Sequence, residues 1–179
     1  MSNMLSYLAA SLPQQLSTEA RALALLCVLR SSPSGLVDLP RGLTRGLALP
    51  HPQDHWEELA AADWLHPAAP TTAWLLDPLL GLPGRRHRAR AADWFLRSFR
   101  SREVRHLDAT ARMVMVALAS HTPPGSAAAV ADRSQLALRS GVLPSSLMSF
   151  LRLLTENLAL GTWSYDVETG DLAWTLGSF

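Results

Sequence analysis

The sequence predicts a mainly α fold with small β-hairpins, arranged as two tandem copies of one unit joined by an Arg-rich helix. Three observations predict it. Apolar residues recur at helical spacing through most of the chain, a helical segment ending in a turn cluster occurs twice, and each copy closes on a short alternating run with Ala-Trp at its start. The 179 residues suffice for two small cores, and 48% hydrophobic against 17% charged residues speaks against disorder. Apolar runs stay under ten residues, too short for a membrane span, and the start MSNMLSYLAASLPQQL lacks the basic stretch of a secretory signal, so a cytoplasmic protein is expected.

Residues 1–17 read as a helical arm, with Met4, Leu5, Leu8 and Leu12 at helical spacing and suited to a dimer interface. Residues 18–78 read as the first copy. It opens with the helix TEARALALLCVLRSSPSG, whose single cysteine, Cys27, sits in an apolar run as a small buried hydrophobe. PQDHWEELAAADWL then reads as a helix with Trp56, Leu59 and Ala60 turned inward and Asp54, Glu57, Glu58 and Ala61 outward. A compressed hairpin, HPAAPTTAWLLDP, follows, with its strand at 72–78.

Residues 79–108 read as a connector. A Gly/Pro break precedes a helix with Ala92, Phe95 and Phe99 on one side and Arg86, Arg90, Asp93, Arg97 and Arg100 on the other. Asp93 and Arg97 are spaced as an i,i+4 ion pair. The net charge of +1 conceals this stretch: eight of the sixteen Arg, against three acids, lie within it.

Residues 109–179 read as the second copy. TARMVMVALASHTPPG matches the opening helix of the first copy, pairing Ala20-Arg21 with Ala111-Arg112 and Pro33 with Pro124. A helix broken at Ser140-Gly141 and another starting after Pro144 make a helix-turn-helix. In that last helix Leu147, Phe150, Leu151, Leu154 and Leu158 share one side, leaving Ser145, Ser149, Arg152 and Glu156 on the other. GTWSYDV and GDLAWTL around Glu168-Thr169-Gly170 form a hairpin. Across the copies Gly46 pairs with Gly141, Pro50 with Pro144, Trp56 with Phe150, and Leu59 with Leu153.

Helix, helix-turn-helix and hairpin in that order resemble the winged-helix superfamily, over residues 110–178 and more weakly over 18–78. The resemblance implies DNA binding through the third helix and the wing, although some members bind only proteins. The tandem arrangement is similar to that of small bacterial transcriptional regulators and plasmid replication initiators, and also to the kleisin-binding subunits of bacterial condensin. The expected function is therefore DNA binding in transcription regulation or plasmid replication and maintenance, near the nucleoid, with a protein-assembly scaffold as the alternative.

The residues expected to contact double-stranded DNA are Arg85, Arg86, Arg88, Arg90, Arg97 and Arg100 of the connector, with Arg133, Arg139, Ser145, Ser149 and Arg152 of the second copy. The acidic face of the first copy repels phosphate, so that copy is expected to dock onto protein instead. A homodimer is expected from the scarce charge and a mean hydropathy of +0.09. Catalysis finds no motif. His51 and His55 stand at i,i+4 before Glu58, but HExxH order and a Cys cluster are both missing, and GLPGRRHR is not a phosphate-binding loop. No cofactor, metal or enzyme activity is expected.

Overall fold

A computed structural model describes residues 1–69, 71–76 and 84–177. Among these residues it has eight helices and two three-stranded antiparallel sheets, and the chain divides into two compact units. Residues 10–100 form one. Residues 1–9 and 101–179 form the other. The Arg-rich helix thus belongs to the first of these units, and the start of the chain groups with the C-terminal portion. The expected boundary after residue 78, the Gly/Pro break and the end of the 72–78 strand fall outside the described residues.

α1 (Ser2–Ser11) buries Met4, Leu5 and Leu8 on one stripe, as their spacing predicts. The unit of residues 10–100 then begins its core with α2 (Thr18–Arg30). This helix is buried on all sides from Ala20 to Leu29. Ser17 caps it, its Oγ accepting from Ala20 N–H at 3.1 Å. There follow β1 (Leu36–Asp38), α3 (Arg41–Leu47), α4 (Pro52–Ala61), β2 (Leu65–Ala69), β3 (Thr72–Leu75) and α5 (Arg85–Phe99). The last strand lies in the middle of the sheet, in the order β1-β3-β2. α5 packs on α2 and α3 through Ala92, Phe95 and Phe99, the two rings tilted with centroids 5.3 Å apart.

The other unit repeats this order with α6 (Ala109–His121), β4 (Ala128–Asp132), α7 (Arg133–Ser140), α8 (Pro144–Glu156), β5 (Leu160–Tyr165) and β6 (Asp171–Leu176). Its sheet order, β4-β6-β5, matches as well. Asp108 caps α6 as Ser17 caps α2, accepting from Ala111 N–H at 2.7 Å. Four residues after each cap stands a buried arginine, Arg21 or Arg112, so the Ala-Arg pairing of the two sequences holds in three dimensions. Both α4 and α8 start with proline, whose missing N–H costs nothing in a first turn.

Two strands escape a sequence reading limited to hairpins. β1 has three residues and β4 is Ala-rich with little β-propensity, and each joins the sheet by a long-range pairing across two helices with no turn to mark it.

The pairing of the copies also shifts by one residue in two places. Trp64 N–H bonds Leu59 carbonyl at 3.1 Å, and Ala159 N–H bonds Leu154 carbonyl at 3.0 Å, each following a non-glycine residue with positive φ, Asp63 or Leu158. Leu59 is therefore equivalent to Leu154 and Trp56 to Leu151, and all four are buried. Phe150 and Leu153, paired with them by sequence, are only half-buried. α8 ends at Glu156, so Leu158 leaves the apolar stripe and is 76% exposed.

In the sheets, Leu65 pairs Leu75 while Leu160 pairs Leu176, and Leu76 N–H bonds Trp64 carbonyl as Gly177 N–H bonds Ala159 carbonyl. Trp174 thus occupies the place of Ala73, and Trp74 that of Thr175. A one-residue slip reverses the face of a strand side chain. Trp174 is 2% exposed, with its Nε1 donating to Thr122 Oγ1 at 3.1 Å, whereas Trp74 is 42% exposed.

At the helix-turn-helix corners, Gly141 ends α7 with φ 75° and Ala48 ends α3 with φ 48°. Gly46 is not the turn residue that pairing with Gly141 suggests. It is buried, and a Cβ there would lie 3.3 Å from the Leu96 side chain of α5, so it serves close helix packing.

Candidate nucleic-acid interface

The exposed face of α5 carries the strongest concentration of charge. Arg86, Arg90, Arg97 and the C-cap Arg100 share it and are exposed, while Arg85, also exposed, sits to one side of it. Asp93 shares that face, but its carboxylate pairs with Arg30 of α2 at 3.1 Å. The expected Asp93–Arg97 ion pair is absent: Arg97 Nε donates to the Asp93 backbone carbonyl at 3.3 Å instead. Arg30 fixed on α2 costs less ordering entropy as a partner than a second flexible side chain on the same exposed face. Arg85, Arg86, Arg90 and Arg100 make no ion pair with any described residue.

Arg88 does not belong to this face. At about 100° per residue it falls between Phe95 and Phe99, and it is 6% exposed. Its Nη2 donates to the carbonyl of Ser31, the buried C-cap of α2, at 2.8 Å. Arg88 thus fastens two helices, and its place on the apolar stripe was the signal available in the sequence.

The unit of residues 101–179 is electrostatically different. With residues 1–9 it carries six Arg against seven acids, whereas residues 10–100 carry ten Arg against eight. α8 exposes Ser145, Ser149, Arg152 and Glu156, as its periodicity predicts. Arg133 is half-buried, with its guanidinium over the Tyr165 ring at 4.7 Å. Arg139 is half-buried as well, and its Nη1 contacts His121 Nε2 and donates to Ser2 Oγ at 3.2 Å. Both arginines are engaged within the fold.

The β5–β6 hairpin tip is acidic. Asp166, Glu168 and Asp171 cluster there, and backbone N–H donation from Glu168 and Thr169 holds the Asp166 carboxyl below its ordinary range. A hairpin of this charge repels phosphate.

α4 exposes Asp54, Glu57 and Ala61 and buries Trp56 and Leu59. Glu58 departs from the expected outward position. Its carboxylate accepts from both the N–H and the Oγ of Ser17, each at 2.5 Å, and thereby ties α4 to the cap of α2. Desolvation lowers the pKa of buried Arg21 from its ordinary value, with Glu58 opposing that shift. His51 precedes α4 with φ 43°, so it and His55 are not successive turns of one helix, and His55 Nε2 instead faces the Pro50 carbonyl. Among the described residues no group of three His, Cys, Asp or Glu could hold a metal ion. Cys27 is fully buried, and burial pushes its thiol pKa upward, away from reactivity. No helix among the described residues is long and apolar enough to cross a membrane.

Comparison with family models, with curated proteins and with solved structures finds no match for this chain.

Proposed function

We propose that this chain is a DNA-binding protein of the winged-helix kind, present twice in tandem, which grips the duplex backbone through the exposed Arg face of α5. The observation that carries the reading is that face: exposed Arg86, Arg90 and Arg97 on α5 and Arg100 at its C-cap, with the one acid among them paired from α2. Arg86 and Arg100 stand about 21 Å apart along the axis, a span that meets several successive phosphates of one strand. The shared element order of the two units, with the last strand central in each sheet, supports the tandem winged-helix assignment.

Ser145, Ser149 and Arg152 on α8 offer a small polar set for base edges, and the acidic hairpin limits what that unit adds to affinity. Binding is accordingly dominated by phosphate and tolerant of sequence, in keeping with a regulator or a plasmid replication or maintenance factor. A homodimer completes the reading, supported by the exposed apolar residues Leu138, Leu143 and Leu158.

The scaffold alternative draws on the same apolar residues and on the acidic face of α4. Fluorescence anisotropy against random duplex DNA, repeated over a salt series, separates the two. Each phosphate contact contributes a slope of about 0.9 on a log-log plot, so Arg86→Ala with Arg90→Ala flattens the slope by up to about two units per engaged protomer. An affinity no better than roughly 10⁻⁴ M with an unchanged slope defeats the proposal and leaves the scaffold.

A further inference from the structure

The two units carry the same sheet, yet they fill its outer face differently. In the unit of residues 10–100, Leu36, Trp74 and His66 stand in cross-strand register on the face turned from the core, since Val37, Leu65, Ala73 and Leu75 alternate inward and are buried. Trp74 is 42% exposed, and Leu76, two residues on, is 53% exposed.

In the other unit the same row reads Ala128, Thr175 and Thr162, with Gly177 in the place of Leu76. These small side chains leave a groove of about 390 Å³ over the sheet, floored by Ala173 and Thr175 and rimmed by Val130. Its size is within the range that encloses an aromatic group. Small residues therefore suffice for the sheet at this row, and the bulk at Trp74 and Leu76 adds apolar surface that the core does not need. One face is a knob and its counterpart a hole.

Charge distinguishes the two faces as well. Asp132 and Asp171 stand opposite each other two residues beyond Val130 and Ala173, with Asp166 and Glu168 following at the hairpin tip, so the groove ends in acids. On the knob side Leu36 and Asp38 line a cleft together with Arg85, which makes no ion pair with any described residue. Residues 10–100 carry ten Arg against eight acids and the other unit six against seven, so unlike units are the electrostatically favoured pair across two copies.

We propose that Trp74 of one copy seats in the groove beside Val130 and Ala173 of a second copy, joining unlike units head to tail. The proposal rests on the homodimer part of the reading above and names its surface, using no residue of the Arg face of α5. Each copy offers one knob and one groove, so the contact is heterologous. A buried tryptophan supplies about 150–250 Å² of an interface whose standard size is about 1,600 Å², so the association is of micromolar strength.

The test is sedimentation velocity on the full chain without DNA, from about 1 to about 200 μM. The wild type should self-associate as concentration rises. Trp74→Ser removes the knob and Ala173→Arg blocks the groove, and each should weaken self-association at least about tenfold while melting stays cooperative. Val130→Arg, at an edge position 63% exposed, should repeat the block without touching the central strand. The two defects should complement each other. Ala173→Arg titrated into Trp74→Ser labelled at its N-terminus should bind at least about tenfold more tightly than either variant binds itself, because the mixture keeps one intact knob and one intact groove. A wild type monomeric throughout would overturn both this contact and the homodimer. Trp74→Ser associating like the wild type would overturn this contact alone and place the dimer elsewhere, as at Leu138 and Leu143. Variants that fail to complement would overturn the head-to-tail pairing. With no DNA in the cell, none of these results touches the DNA-binding reading.

Discussion

Arg88 and Arg86 lie half a turn apart on α5, and replacing each by Ala should have opposite consequences. Arg88 is 6% exposed and donates to the Ser31 carbonyl at 2.8 Å, and Ser31 is itself 5% exposed. A hydrogen bond from a charged donor contributes about 1.5–3 kcal/mol, and the variant leaves the Ser31 carbonyl without that donor. Loss of the buried stem of the side chain adds to this. Arg88→Ala should thus destabilise the unit of residues 10–100 by at least about 2 kcal/mol, which for a domain of this size lowers its melting temperature by roughly 8–16 °C.

Arg86 is exposed and makes no ion pair with a described residue, so Arg86→Ala should change stability by no more than about 0.5 kcal/mol. In DNA binding the order reverses. Arg86→Ala should flatten the salt slope by about 0.9, while Arg88→Ala, measured well below its melting temperature, should leave the slope intact. Thermal melts followed at 222 nm and an anisotropy salt series on both variants provide the readout. An Arg88→Ala protein that melts like the wild type and loses salt dependence would refute the reasoning.

Other positions test the fold. Trp174→Ala should cost about 3–5 kcal/mol in urea unfolding, and Trp74→Ala no more than about half of that, because a half-open site fills with water and keeps no cavity. Leu154→Ala should cost about 2–5 kcal/mol, while Leu158→Ser should stay within about 0.5 kcal/mol, since α8 has ended before it. Ala48→Gly should stabilise the chain by about 0.5–1 kcal/mol by relieving a left-handed alanine, visible as a higher urea midpoint. His121 tests pH dependence. Desolvation lowers its pKa, the bond to the Ala117 carbonyl opposes the shift and Arg139 reinforces it, so the ring is neutral in the fold with Nδ1–H donating to that carbonyl. Because the unfolded chain takes up this proton first, stability is full above about pH 6.5 and falls as pH drops below it, levelling beneath the folded pKa. His121→Gln should lose less stability than wild type between pH 7 and 5, and equal losses would count against the assignment.

Local periodicity determined much of this protein in advance. Apolar spacing marked α1, α2, α6 and α8, the Pro and Gly signals bounded the helix-turn-helix, and the charge pattern isolated the exposed Arg face of α5. These are interactions within a few residues of chain, where spacing alone decides which side chains share a face. Arg88 was equally legible from its position between two phenylalanines, had the basic run been divided by face instead of taken whole.

Tertiary structure alone decided the rest. β1 and β4 exist because a distant last strand offers them hydrogen bonds, which no local propensity reveals. Asp93 turned to Arg30 and Glu58 to Ser17 because neighbouring helices brought those partners within reach, giving two acids partners that their sequence spacing did not assign them. The two Ala-Trp strands read alike, yet one tryptophan is buried and the other is 42% exposed, because strand pairing sets which face meets the core. A single residue of register reverses that choice, and the register is fixed by pairing partners far away in the chain.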